Sequence, residues 1–228
     1  MKLFHTDQYF SHDIDPCCQL KNPLGTLERQ YSVNAGSEPM RQERRYYKHC
    51  SRESEIFTWT GPDCTLEELL VTFTPQGRVL PPDIKCQAVV IRIKSFAGQT
   101  LDARLVWLPG YQWTEGIGRP GEALESRSWF DANWDVIIGT EDSEFLTHRS
   151  RAGKWMPKRL ASDFEANSDE LVEITDDSIC IHLPKLECDE ICQIHFVVAS
   201  GPRRDDDNSL WLAVDQDPEV LLAAGDCD

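Results

Sequence analysis

Residues 178–214 constrain the fold more than any other stretch of the chain. From Ser178 to Ala199 apolar and polar residues alternate with a period of two, interrupted by a turn around Pro184 to Glu190. A charged tip follows (Gly201, Pro202, Arg203, Arg204, Asp205, Asp206, Asp207, Asn208), and then a second apolar run from Ser209 to Val214. A period of two is the signature of half-buried strands, and the tip has the chemistry of a hairpin turn. The reading is three successive antiparallel strands.

The same signal recurs upstream. Leu27 to Val33 and Ile56 to Thr60 read as strands, and Gln42 to Cys50 is basic and aromatic. Thr65 to Phe73 fits either one long strand or a helical turn running into a strand. Gln87 to Lys94 and Leu101 to Leu108, separated by Ala97-Gly98-Gln99, read as a hairpin. Pro109 to Gly121 is rich in Gly and Pro and reads as a loop. Val136 to Thr140 and Phe145 to His148 read as strands flanking an acidic turn. Lys154 to Asn167 reads as irregular with one helical turn, and Leu171 to Ile174 as a strand. Pro218 opens a short helix in the tail. About ten short strands with few helices predict an all-β fold, an antiparallel β-sandwich with few short helices; a closed barrel is the lesser alternative.

The chain has 228 residues, which suits one domain over 1–228 with an irregular segment at 1–40 and a tail at 218–228. Hydrophobic residues make up 40% and Trp occurs seven times, enough for a sizeable core. The net charge of −16 speaks against nucleic acid and anionic membranes as partners, since both need a basic face. The first residues lack the apolar run of a signal peptide and no window is long and apolar enough to span a bilayer. A cytoplasmic protein is therefore expected, and a leader removed beforehand would reverse that expectation. In a reducing compartment the nine cysteines read mostly as small buried hydrophobes.

The order of these segments resembles a known family. Val90 to Lys94 and Leu101 to Leu108, a loop carrying Gly121 to Arg127, then Ile179 to Leu186 and Cys192 to Ala199 look like the amino-terminal β-sandwich of glycoside hydrolases with an (α/α)-barrel catalytic domain. The resemblance spans roughly residues 86–220 and rests on pattern. In that family the sandwich supports and the barrel carries the catalytic carboxylates. The chain contains no such barrel, so the resemblance implies architecture and no activity.

The best functional candidate is the Trp-rich loop region from Trp107 to Trp134. Loop aromatics offer flat faces on which sugar rings or other planar ligands stack, and neighbouring polar groups bind hydroxyls. The candidate ligand-binding residues are Tyr111, Trp113, Glu115, Arg119, Trp129 and Asp131, with Glu122 and Asn133 nearby. The structural alternative assigns Trp107 and Trp134 to the core and makes Trp113 and Trp129 a cover for the open end of the sandwich. Carboxylates among Glu115, Glu122, Glu125, Asp131 and Asp135 could form an acid/base pair, a reading that acidic residues make nearly free here. A third reading buries the aromatics against a protein partner or a second copy.

No catalytic residue, cofactor or metal is assigned. Alternation places Cys180, His182 and His195 together on one surface, with Cys192 inward. Zinc is not expected there because Cys188 and Cys192 lack knuckle spacing. His5, Asp7, His12, Asp13 and Asp15, and Asp205 to Asp207 with Asp215 and Asp217, read as solvated acidic or His/Asp clusters. The basic residues Arg41, Arg44, Arg45 and Lys48, and the group His148, Arg149, Arg151, Lys154, Lys158 and Arg159, are expected to be neutralised by the chain's own carboxylates. No P-loop, dinucleotide fingerprint or nucleophile elbow is present, and Cys17-Cys18 has no identifiable base beside it.

Overall fold

Strands buried on one face alternate in polarity, whereas strands buried on both faces read as continuous apolar runs. Both kinds occur here, and they sort into two antiparallel sheets. The computed structural model describes residues 3–4, 10–11, 19–33, 42–48, 54–60, 63–75, 80–157, 159–167, 170–204 and 208–225. The first half supplies β1 (Phe10–Ser11), β2 (Gln19–Asn22), β3 (Gly25–Val33), β4 (Gln42–Lys48), β5 (Ser54–Thr60), β6 (Cys64–Phe73), β7 (Lys85–Ser95) and β8 (Gln99–Trp107). Then come β9 (Glu115–Gly118), β10 (Leu124–Phe130), β11 (Trp134–Glu141), α1 (Ser143–Ala152), α2 (Leu160–Asn167), β12 (Val172–Ile174), β13 (Ser178–Leu186), β14 (Ile191–Pro202), α3 (Ser209–Val214) and α4 (Pro218–Ala224).

The larger sheet has the order β1-β4-β5-β6-β7-β14-β11-β10-β9, the smaller β12-β13-β8-β3-β2. The all-β, sandwich-like class expected from the sequence is what the chain adopts. Leu27, Leu101, Leu105, Ile179, Ile181 and Leu183 of the smaller sheet face Leu66, Ile91, Ile93, Val136, Ile138, Ile194 and Phe196 of the larger. The outer face of the larger sheet is covered as well. Val71, Val90, Ile137, Val197 and Ala199 pack there against Phe4, Leu210, Val214 and Leu221. That second cover explains why β7 and β14 are buried on both faces, polar positions included.

Four local expectations are corrected. The Gln87–Lys94 and Leu101–Leu108 segments do not pair: β7 lies between β6 and β14, and β8 between β13 and β3. The turn at Gly98 therefore carries the chain from one sheet to the other. β13 and β14 likewise belong to different sheets, and the third segment of that run, Ser209–Val214, is helical. Its six residues are too few for periodicity to separate helix from strand. Phe145 to His148 lies in α1, whose Asp142 N-cap accepts the Phe145 N–H at 2.6 Å and whose Gly153 closes the other end at φ 68°. Finally, Glu115 to Gly118 is an edge strand (β9) within the expected loop. Thr65 to Phe73 resolves as strand, and among the described residues no helix is long and apolar enough to cross a membrane.

Candidate functional site

The loop at residues 108–114 connects β8 of the smaller sheet to β9 of the larger and closes one end of the sandwich. Three backbone bonds tie it down: Leu108 N–H to Thr26 O at 2.9 Å, Gln112 N–H to Leu24 O at 2.7 Å and Thr114 N–H to Phe130 O at 3.0 Å. Gly110 turns the loop at φ 100°, and Gly25, at φ 144°, lets it approach so closely that an added Cβ would sit 3.1 Å from the Tyr111 Cα. The loop is thus clamped between the β2–β3 hairpin and β10.

This clamping assembles four rings. Tyr111 stacks on Trp113 with centroids 4.3 Å apart and planes 8° from parallel. Trp107 meets Tyr111 edge-on at 6.5 Å, Trp113 at 6.5 Å and Trp129 edge-on at 5.8 Å. Such contacts add about 0.5–1.5 kcal/mol each beyond area burial. Tyr111 stays 41% exposed at the outside of the stack, and Trp113 is half-buried.

The structure divides the remaining predicted residues. Trp129 is completely buried, and its Nε1–H donates to Asp176 O at 2.7 Å. Its place as a ligand platform is corrected: it is the floor under Trp107, because its strand position points into the inter-sheet core. Gly116 lies against that inner face, since an added Cβ would meet Arg127 Nε at 2.9 Å and Trp129 Cδ1 at 3.1 Å. Alternation then puts Glu115 and Ile117 on the opposite, outer face with Ser128 and Phe130. Arg119 also belongs there, close enough to act on the Asp135 carboxyl. Asp131 spends one oxygen on its own turn, accepting the Asn133 and Trp134 N–H groups at 2.7 Å each. Trp134 is 37% exposed, against the alternative that made it core.

The outer face holds a group that sequence reasoning treated only as one of many carboxylates. Asp135 accepts a short hydrogen bond from the Ser128 hydroxyl and lies near Arg119 and Arg203. Burial raises its carboxyl above the ordinary range, opposed by Ser128, the two arginines and the Val136 backbone. Arg203 covers the Phe130 ring at 4.0 Å and donates to Asp131 O at 3.0 Å.

The expected convergence of Cys180, His182 and His195 does not occur. The first two lie on the smaller sheet, where His182 Nδ1 meets Asp102 at 2.8 Å and Nε2 meets Glu173 at 3.2 Å. Cys180 is buried, and burial pushes its thiol up to about 11. His195 lies on the larger sheet, where its Nδ1 is 3.5 Å from Glu141 and its ring is buried beside Arg149. No group of three or more His, Cys, Asp or Glu side chains among the described residues is placed to hold a metal ion. His5, Asp7, His12, Asp13, Asp15, Cys17, Cys18, Asp205, Asp206 and Asp207 lie outside the described residues. Of the basic groups, Arg149 pairs with Glu141, and Arg159 lies 3.4 Å from Glu187 and 3.6 Å from Glu190.

Trp155 escaped the sequence reading altogether. It sits in a groove of about 470 Å³ lined by Gly153, Lys154, Trp155, Met156, Ile191 and Glu219. No local pattern marked it, because the helix that Gly153 ends was itself read as a strand.

No family model matches the chain, and no curated protein matches it. A solved structure described as a kojibiose phosphorylase from human microbiome is similar at 9% identity, with a TM-score of 0.42, over 89% of this chain and 31% of that one. The chain thus spans about a third of that protein's length.

Proposed function

We propose that the chain is a β-sandwich binding module whose sandwich end takes a carbohydrate-type ligand on the Tyr111–Trp113 stack. The observation that supports this reading is the parallel pair itself. Two aromatic rings 4.3 Å apart on a loop held at three backbone points present a pre-set apolar face, with Tyr111 outermost. A sugar ring can cover that face through its C–H groups at little entropic cost, because the platform is already ordered. Polar selectivity would come from the exposed Gln112 between the two stacked residues. Glu115 and Arg119, on the outer face, are not part of this arrangement.

An acid/base pair drawn from Glu115, Glu122 and Asp131 has less support. Asp131 caps a turn and Glu115 faces the other side of the sheet, so the two do not flank one cleft. The partner-protein reading draws on β9, an edge strand with Ile117 43% exposed. Titration of tryptophan fluorescence with a panel of neutral oligosaccharides separates these readings. A saturable response lost in Tyr111→Ala supports stacking. No response, with mass rising with concentration in light scattering, supports a subunit interface instead.

A further inference from the structure

We propose a second ligand site, independent of the aromatic end, in the Trp155 groove, and that it takes a planar aromatic carboxylate bearing a hydrogen-bond donor. The groove lies between the Gly153–Met156 segment, the start of β14 at Ile191 and α4 at Glu219. Its volume of about 470 Å³ is within the range of small-molecule sites. Met156 and Ile191 supply apolar wall, and Trp155 supplies a flat face that is 44% exposed.

Trp155 is held in place from beneath. Its backbone adopts φ 50°, a conformation that costs a bulky residue energy and persists only where surroundings impose it. The imposing contacts are visible. The Gln193 N–H donates to Trp155 O at 2.8 Å, and the buried Arg149 donates to Lys154 O at 3.3 Å and Gln193 O at 3.0 Å. Arg92, fully buried, places its guanidinium 4.2 Å from the Trp155 ring centroid and 4.5 Å from that of Phe4. Arg92 is itself fixed by Gln193 Oε1 at 2.8 Å and Leu3 O at 2.9 Å. The indole is therefore an ordered platform with a cation under one face.

That cation selects the ligand. A guanidinium against one face draws the ring's π density towards itself, which disfavours a second cation on the open face and favours an electron-rich ring. Lys154 and Glu219 stand on the rim, 66% and 70% exposed and 3.9 Å apart, too far for a strong pair. Lys154 is positioned for a ligand carboxylate, and Glu219 repels that carboxylate while accepting from a hydroxyl or amino donor. A ring on Trp155, an anion towards Lys154 and a donor towards Glu219 describe a hydroxy- or amino-substituted aromatic acid.

The test is a protein-observed two-dimensional NMR titration of the full chain with 4-hydroxybenzoate, with benzylamine as the cationic control. Saturable binding of 4-hydroxybenzoate is expected, with the Trp155 indole N–H shifting, and benzylamine should bind at least roughly tenfold more weakly. Lys154→Glu, an exposed change that spares the fold, should weaken 4-hydroxybenzoate roughly tenfold. Trp155→Ala should abolish the signal, and Lys154→Glu carries the test alone if that variant does not fold. Absence of binding at about 10 mM, equal affinity for benzylamine, or an unchanged affinity in Lys154→Glu overturns the proposal.

Discussion

Replacing Glu141 by Ala should be among the most damaging single changes in the larger sheet. The Glu141 and Arg149 side chains are only 5% and 6% exposed, and an Arg149 Nη1–H donates to Glu141 Oε2. Removing the carboxylate leaves the guanidinium buried with two backbone carbonyls and no counter-charge, for which about 3–5 kcal/mol is the usual loss. For a domain of this size each kcal/mol lowers Tm by about 2–4 °C, so a fall of about 6–20 °C is expected. Replacing both partners, Glu141→Met with Arg149→Met, should cost far less than the two single changes summed, because the desolvation of both charges disappears with them. Calorimetry and urea unfolding on the four proteins of the cycle measure this directly. The pH dependence adds a second check. Burial opposes ionisation of Glu141, but His195 and Arg149 outweigh it and hold the carboxyl below its ordinary value of 4.5. A depressed carboxyl contributes stability that is present above that ordinary value and is lost as pH falls through the folded one. The wild-type protein should therefore lose stability on acidification below about pH 4.5, and Glu141→Gln should lose less of it over the same window. A Glu141→Ala loss under about 1 kcal/mol, with additive singles, would refute the reasoning.

Three further outcomes follow from local geometry. Burial pushes Cys64 up to about 11 and Cys86 and Cys192 up to about 12, whereas Cys188 is exposed. Site-resolved mass spectrometry after brief alkylation at neutral pH should show Cys188 modified well ahead of those three. Asp142→Ala removes the cap on α1 and should cost about 1 kcal/mol by urea denaturation, with Asp142→Asn recovering most of it. Gly139→Ala would bring a Cβ to 2.9 Å from Val214 Cγ2 and 3.0 Å from Leu124 Cδ1, so a loss of about 1–3 kcal/mol should appear in thermal unfolding.

Strand identity was legible in the chain and strand partnership was not. Two-residue alternation marked β3, β8 and β13 correctly, because each presents one apolar face to the inter-sheet core, and the segments of β5 and β14 were also read as strands. Alternation carries no information about which sheet a strand joins, so short turns at Gly98 and near Cys188 looked like hairpins when they cross between sheets. The helix α1 was hidden because its cap, Asp142, resembles any acidic turn residue. The charges on the outer face were opaque for a related reason. Arg92, Glu141, Gln193 and His195 alternate as solvent-facing residues would, and only the helices and the Leu3–Phe4 segment laid over them make them buried. At the candidate site, the aromatic loop was readable from composition. Its division into a Tyr111–Trp113 stack, a buried Trp129 and an outer-face Glu115 and Arg119 depends on the register of β9 with β10, which no local pattern encodes.

The most direct measurement is a two-dimensional NMR titration of the tryptophan indole N–H signals with a neutral oligosaccharide. A saturable shift centred on the Trp113 signal, lost in Tyr111→Ala while the Trp155 signal stays in place, is the predicted result. Saturating oligosaccharide that leaves Trp113 unmoved, or that moves it equally in Tyr111→Ala, would contradict a binding face built on the Tyr111–Trp113 stack.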